Sequence, residues 1–167
     1  MTLLLRLRDK LTPADHQTHR RYPFTVPPGC NELVVHVSYT PKFVSPRESA
    51  AFVESALQSQ RMRLQEQAGE LLAAAWAHDN APRASGFRVA NLLTGSLDDA
   101  AGVYRGAGHR HASDQRLVLT ESTASPGLVP GALTAGVWRL TLTAHTVVST
   151  ECDVAIQIGA EIASSRD

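Results

Sequence analysis

Apolar residues return at every second position in one short stretch after another of this chain, and only once does the period lengthen to that of a helix. Leu3, Leu5 and Leu7 alternate with Leu4, Arg6 and Arg8; Leu33, Val35, Val37 and Tyr39 share one phase against His36 and Ser38. The same alternation recurs through Val89, Asn91, Leu93 and Leu97, at Leu117 and Leu119, from Trp138 to Ala144, and through Val154, Ile156 and Ile158. A period of two marks strands with one face buried. With Phe24-Thr25-Val26 and the piece beginning Val103-Tyr104-Arg105, about eight short strands are expected, separated by Pro and Gly turns. Parallel neighbours would each need a long crossover, usually a helix. A chain with one helical stretch therefore builds an antiparallel β-sandwich, here of jelly-roll type.

The exception begins at Ser45-Pro46-Arg47-Glu48. A hydroxyl at the N-cap, proline at the first helical position and glutamate at the third together satisfy the free amides of a starting helix. From there Phe52, Val53, Ala56, Leu57, Leu64, Ala68, Leu71, Leu72, Ala75 and Trp76 follow one apolar stripe. An unbroken rod over 46–79 would be roughly 50 Å long, more than a small sandwich can cover. Gly69 is the expected break, since glycine weakens a helix interior, and Asp79-Asn80-Ala81-Pro82 the stop. The reading is a single domain over 1–167 with a helical insertion at about 46–79, packed across a sheet or used between subunits.

The 167 residues can enclose a full core without disulfides. Sixteen Lys and Arg balance sixteen Asp and Glu, so no overall field draws the chain to nucleic acid or to a membrane. The first 21 residues are locally basic, but their arginines alternate with leucines, as on one solvated strand face. Nine aromatic residues (four Phe, two Trp, three Tyr) make a poor stacking platform for single-stranded nucleic acid. The opening MTLLLRLRDKL is interrupted by charge and does not read as a signal peptide. No stretch approaches a membrane span. A cytoplasmic location follows as an expectation, with Cys30 and Cys152 as reduced thiols.

Candidate chemistry concentrates between Asn91 and Trp138. His109-Arg110-His111, placed on a strand, would point two imidazoles to one side as ligands for a divalent metal such as zinc. Asp98, Asp99 and Asp114 lie close in sequence, with Glu121, His145 or His36 able to arrive from other strands. Against this stands a polar loop with solvated histidines. Asp98-Asp99 before Ala-Ala-Gly is a hairpin turn or a carboxylate pair. Arg105 and Arg110 are candidate anion ligands through their forked donors; Arg105 reads equally as a tie to neighbouring carbonyls. Pro126-Gly127-Leu128-Val129-Pro130-Gly131 is a contact loop or a rigid crossover, and Trp138 is a core residue. Neither a nucleophile elbow nor a Cys–His pairing appears.

Several of these turns carry a family likeness. Phe24-Thr25-Val26-Pro27-Pro28-Gly29, Asn91-Leu92-Leu93-Thr94 through Asp99 and Gly102, Tyr104-Arg105-Gly106, Ala124-Ser125-Pro126-Gly127, Pro130-Gly131 and Gly136-Val137-Trp138 resemble the N-terminal β-sandwich of CehA/McbA-type metallohydrolases of the PHP superfamily. That resemblance implies an accessory domain without the metal-binding barrel, where the family's catalysis resides. The expected function is thus non-catalytic: a protein-binding or self-associating module, its partner a second copy through helix 46–79 or a separately encoded PHP hydrolase, with no cofactor. The alternative is a small metal-dependent hydrolase, phosphoesterase-like, built on His109 and His111.

Overall fold

The computed structural model describes residues 1–79, 88–109 and 111–163. Its strands are β1 (Thr2–Leu11), β2 (Thr18–Val26), β3 (Cys30–Thr40), β4 (Leu92–Asp98), β5 (Tyr104–Ala107), β6 (Asp114–Thr120), β7 (Gly136–Thr146) and β8 (Cys152–Ile162). They form two antiparallel sheets in the orders β1-β8-β3-β6 and β2-β7-β4-β5. Four of the pairings, β1 with β8, β2 with β7, β3 with β6 and β4 with β5, join strands equally far from one turn. The chain is thus a long hairpin coiled on itself, the winding of a jelly roll. Its tip is the β4–β5 turn.

The alternation sets which residues meet inside. Leu33, Val35, Val37 and Tyr39 of β3 lie in register with Ala160, Ile158, Ile156 and Val154 of β8. In the facing sheet Trp138, Leu140, Leu142 and Ala144 of β7 join Leu93 and Leu97 of β4 and Phe24 and Val26 of β2 in one buried cluster. Gly95 lets the layers close: a Cβ built there would stand 3.3 Å from Val37 Cγ2 and 3.4 Å from Leu140 Cδ1.

Phe24-Thr25-Val26 proves to be the end of a nine-residue strand in register with β7 along its whole length. Its earlier half, Thr18 to Arg21, is too charged to stand out as apolar alternation.

Residues 43–90 form a unit of their own, apart from Met1–Lys42 and Asn91–Asp167. In it α1 (Pro46–Ala68) starts as expected: the Glu48 amide donates to Ser45 Oγ at 3.2 Å, and the Ser45 amide to Glu48 Oε2 at 2.9 Å. Gly69, with φ +85°, ends α1 and leads into α2 (Glu70–Asp79), which packs on α1. The helix is therefore two pieces. The expected stop at 80–82 lies outside the described residues. Only Ser49 of α1 and Ala73 of α2 are fully buried, so the apolar stripe is largely exposed.

Candidate functional site

Among the described residues, polar side chains of the sandwich gather at the two sides where its sheets end and around Asn91, just before β4.

On the β5–β6 side, the loop from Ala124 to Gly131 crosses from one sheet to the other and pairs with both edges. The Ser125 amide donates to the Val118 carbonyl at 2.8 Å, the Ala107 amide to Gly127 at 2.9 Å, and the Val129 amide to Arg105 at 2.8 Å. Gly106 (φ +105°) and Gly127 (φ +90°) permit the approach, since a Cβ on Gly106 would fall 2.1 Å from the Gly127 carbonyl oxygen. Arg105, 5 % exposed, fixes the loop from beneath. Its Nε and Nη2 donate to the Val129 carbonyl at 3.2 and 3.1 Å, Nη2 also to Gly131 at 3.0 Å, and Nη1 to Ala132 at 3.2 Å. Nη1 also lies 3.5 Å from Asp99 Oδ2. The guanidinium rests 5.4 Å from the Trp138 ring centroid. A guanidinium has five N–H donors; four hydrogen bonds here go to loop carbonyls, and the charge faces Asp99. Arg105 thus takes the second of its two readings, a tie to neighbouring carbonyls. The other proposed anion ligand, Arg110, lies outside the described residues.

Asp99 serves the tip of the long hairpin. Its Oδ1 accepts from the Ala101 and Val103 amides, both at 2.9 Å, while Gly102 takes φ +79°. That is the turn reading of Asp98-Asp99, with the second carboxylate oxygen directed to Arg105.

His109 and His111 lie in the β5–β6 connection, so the strand expected to aim them is absent. Their ring centroids are 5.0 Å apart, and the His111 amide lies 3.4 Å from His109 Nδ1. Asp114 bonds elsewhere: its Oδ1 is 2.6 Å from His36 Nε2 on the outer face of the sheet. His145 Nε2 meets Thr94 Oγ1 at 3.0 Å. Among the described residues no group of three or more His, Cys, Asp or Glu is arranged to hold a metal ion. The set His109, His111, Asp99 and Asp114 is thus divided between a loop, a hairpin tip and a sheet face.

On the β1–β2 side the closure is made by side chains. Asp9 projects inward from β1, Arg20 and Tyr22 from β2. Arg20 Nη1 donates to Asp9 Oδ1 at 2.5 Å and Nη2 to Asp15 Oδ1 at 2.7 Å, and the Tyr22 hydroxyl donates to Asp9 Oδ2. Burial raises the Asp9 carboxyl, but hydrogen bonds from Tyr22, Arg20 and the Lys10 amide outweigh it and hold the group below its ordinary range. The Thr12 amide, and then Arg20, hold Asp15 low as well. Burial and the bond to Asp9 push the Tyr22 phenol well above its usual value. Sequence reasoning missed this network. The available signal was a carboxylate at Asp9 in the inward phase set by Leu5 and Leu7.

Asn91 is wholly buried. Its Nδ2 donates to the Pro41 carbonyl at 2.8 Å and to Ser149 Oγ at 2.7 Å, and its Oδ1 accepts from the Val148 amide at 2.7 Å. Its carbonyl accepts from the Tyr39 hydroxyl at 3.1 Å and from Lys42 Nζ at 3.0 Å. One amide side chain thereby binds the end of β3, the start of β4 and the β7–β8 loop.

The cysteines are not paired, and burial pushes the Cys152 thiol up to about 11, the opposite of an activated nucleophile. No described helix is long and apolar enough to cross a membrane. The chain matches no protein-family model, and no curated protein is similar to it.

Proposed function

We propose that this chain is a non-catalytic interaction module in which the jelly roll is a scaffold and the helical unit associates with a second copy of itself. One observation carries the reading. In α2 the seven consecutive residues Leu71 to Ala77 are all apolar, yet Leu71 is 89 % and Leu72 61 % exposed. A helix apolar on every side is ordinarily buried, and α1 adds Met62 and Phe52, both exposed. Large apolar side chains exposed together in this way mark an interface, and a two-fold pairing is the commonest arrangement for identical chains. The reading rests on this surface rather than on kinship with metallohydrolases, for which no family match speaks. The hydrolase alternative on His109 and His111 has no third donor among the described residues.

The test is the mass of the full chain in solution by light scattering, beside that of a Leu71→Glu/Leu72→Glu variant. The expected result is a dimer, twice 18.0 kDa, that becomes monomeric in the variant with unchanged circular dichroism. A monomeric wild-type chain at high micromolar concentration, or a variant that remains dimeric, overturns the proposal.

A further inference from the structure

The sandwich has four strand edges, and the described residues treat them differently. The β5 edge is taken by Gly127 to Val129, and the β6 edge by Ala124 and Ser125. The β2 edge is interrupted by Pro23, which has no N–H to offer. β1, ten residues long, pairs with β8 on one side, and no other backbone hydrogen bond among the described residues reaches it.

The direction of its free groups can be read from one bond. The Lys10 amide donates to the Asp9 carboxylate at 2.7 Å rather than into the β8 ladder. In an antiparallel ladder alternate residues address alternate neighbours, and the β1–β8 register is unbroken from Leu5 to Leu11. The amides and carbonyls of Arg6 and Arg8 therefore point outward with that of Lys10.

Their side chains supply the second half of the recognition. Arg6 and Arg8 stand exposed on the outer face of the sheet. Arg6 donates to Gln157 Oε1 at 3.1 Å, and the Arg8 side chain has no ion pair among the described residues. Arg8 borders an open depression of about 430 Å³ lined also by Ser38, Thr40 and Asp153. On the opposite face of β1, Leu5 and Leu7 are only half buried. We infer that β1 is a docking edge for an extended segment of a partner protein with carboxylates at alternate positions and apolar residues between them. Such a strand would take the free ladder of Arg6 and Arg8, place its carboxylates beside their guanidinium groups, and set its apolar side chains against Leu5 and Leu7. A second copy of β1 is a poor occupant. Antiparallel self-pairing brings arginines together, and the one carboxylate of the strand, Asp9, is already bound to Arg20 and Tyr22.

This edge belongs to the unit of Met1–Lys42 and Asn91–Asp167 rather than to residues 43–90, and its test does not depend on self-association there. The probe is a fluorescent eight-residue peptide alternating glutamate and valine, with its lysine–valine counterpart as control, titrated into the full chain. The expected result is saturable binding of the glutamate peptide only, weakened at least tenfold by Arg6→Glu/Arg8→Glu, with slowed hydrogen exchange at the Arg6 and Arg8 amides. Absence of binding, binding indifferent to the charge reversal, or protection at another edge overturns the inference. Should the double variant fail to fold, exchange in the wild-type chain with and without peptide decides alone. Protection of the same amides in concentrated chain without peptide would identify a second copy as the occupant and also overturn it.

Discussion

Along β5 and β6 the sandwich is closed by backbone, the Ala124–Gly131 loop pairing with both edges over a buried arginine; along β1 and β2 it is closed by Asp9, Arg20, Asp15 and Tyr22, with no strand among the described residues laid across. The first side depends on close approach and on a charge removed from water, so its geometry tolerates little change. The second depends on partly solvated ion pairs whose strength varies with the medium. It also leaves a ladder free, and that is why the proposed partner strand belongs to β1.

The sharpest way to break the comparison is Arg105→Met, which keeps a side chain of similar length but strips the carbonyls of Val129, Gly131 and Ala132, and Asp99, of their donor. Removing one partner from a buried charged network costs about 3–5 kcal/mol. Chemical denaturation should show that loss, with the β5–β6 edges and the loop exchanging amide protons first. A loss under about 1 kcal/mol would mean that the loop holds itself and Arg105 follows.

Gly106→Ala tests the same side through the backbone alone. Its Cβ would meet the Gly127 carbonyl oxygen at 2.1 Å from a φ of +105°, so strain and overpacking together should cost about 3 kcal/mol. Asp9→Asn, on the other side, should cost less, about 1–3 kcal/mol, through a weakened partner for Arg20 and Tyr22. Added salt sharpens the contrast: molar sodium chloride should erode the stability that Asp9 confers and leave that of Arg105 almost unchanged. Equal salt dependence of the two variants' stability losses, measured by thermal melting, would erase the distinction between the two closures.

How much of this could be read beforehand follows from what each feature depends on. Period-two alternation is local, so the antiparallel sandwich was legible, as were the Ser45–Glu48 cap and the break at Gly69. The assignment of Trp138 to the core and of Asp99 to a turn rested on equally local chemistry. The closures are not local. Asp9 reaches Arg20 and Tyr22 only because β1 and β2 end neighbouring sheets, and nothing in the spacing of these residues announces it. Asn91 shared the inward phase of Leu93 and Leu97, but its partners at Pro41 and Ser149 come together only when the long hairpin is coiled. The histidine pair misled for the complementary reason. A two-residue spacing has a single meaning on a strand, and His109 and His111 occupy a connection.

The smallest effects should appear on titration, and their signs differ at the two ends of the pH range. Asp9 and Asp15 are held below the ordinary carboxylate value of about 3.9 when folded. The unfolded chain therefore binds more protons in this range, and the stability they confer, complete above that value, is lost as pH falls through their depressed folded values. Tyr22 behaves inversely. Its folded pKa is raised above the ordinary value of about 10, so its contribution is complete below that value and is lost as pH rises through the folded one. Between pH 5 and 8 the β1–β2 closure should consequently be insensitive to pH, with a fall in melting temperature on either side. Tyr22→Phe should flatten the alkaline limb and leave most of the acid limb in place, because Arg20 still holds both carboxylates. Asp9→Asn should weaken both limbs, since the same carboxylate accepts from Tyr22 and Arg20. An alkaline limb that survives both substitutions would place the titrating group outside this network.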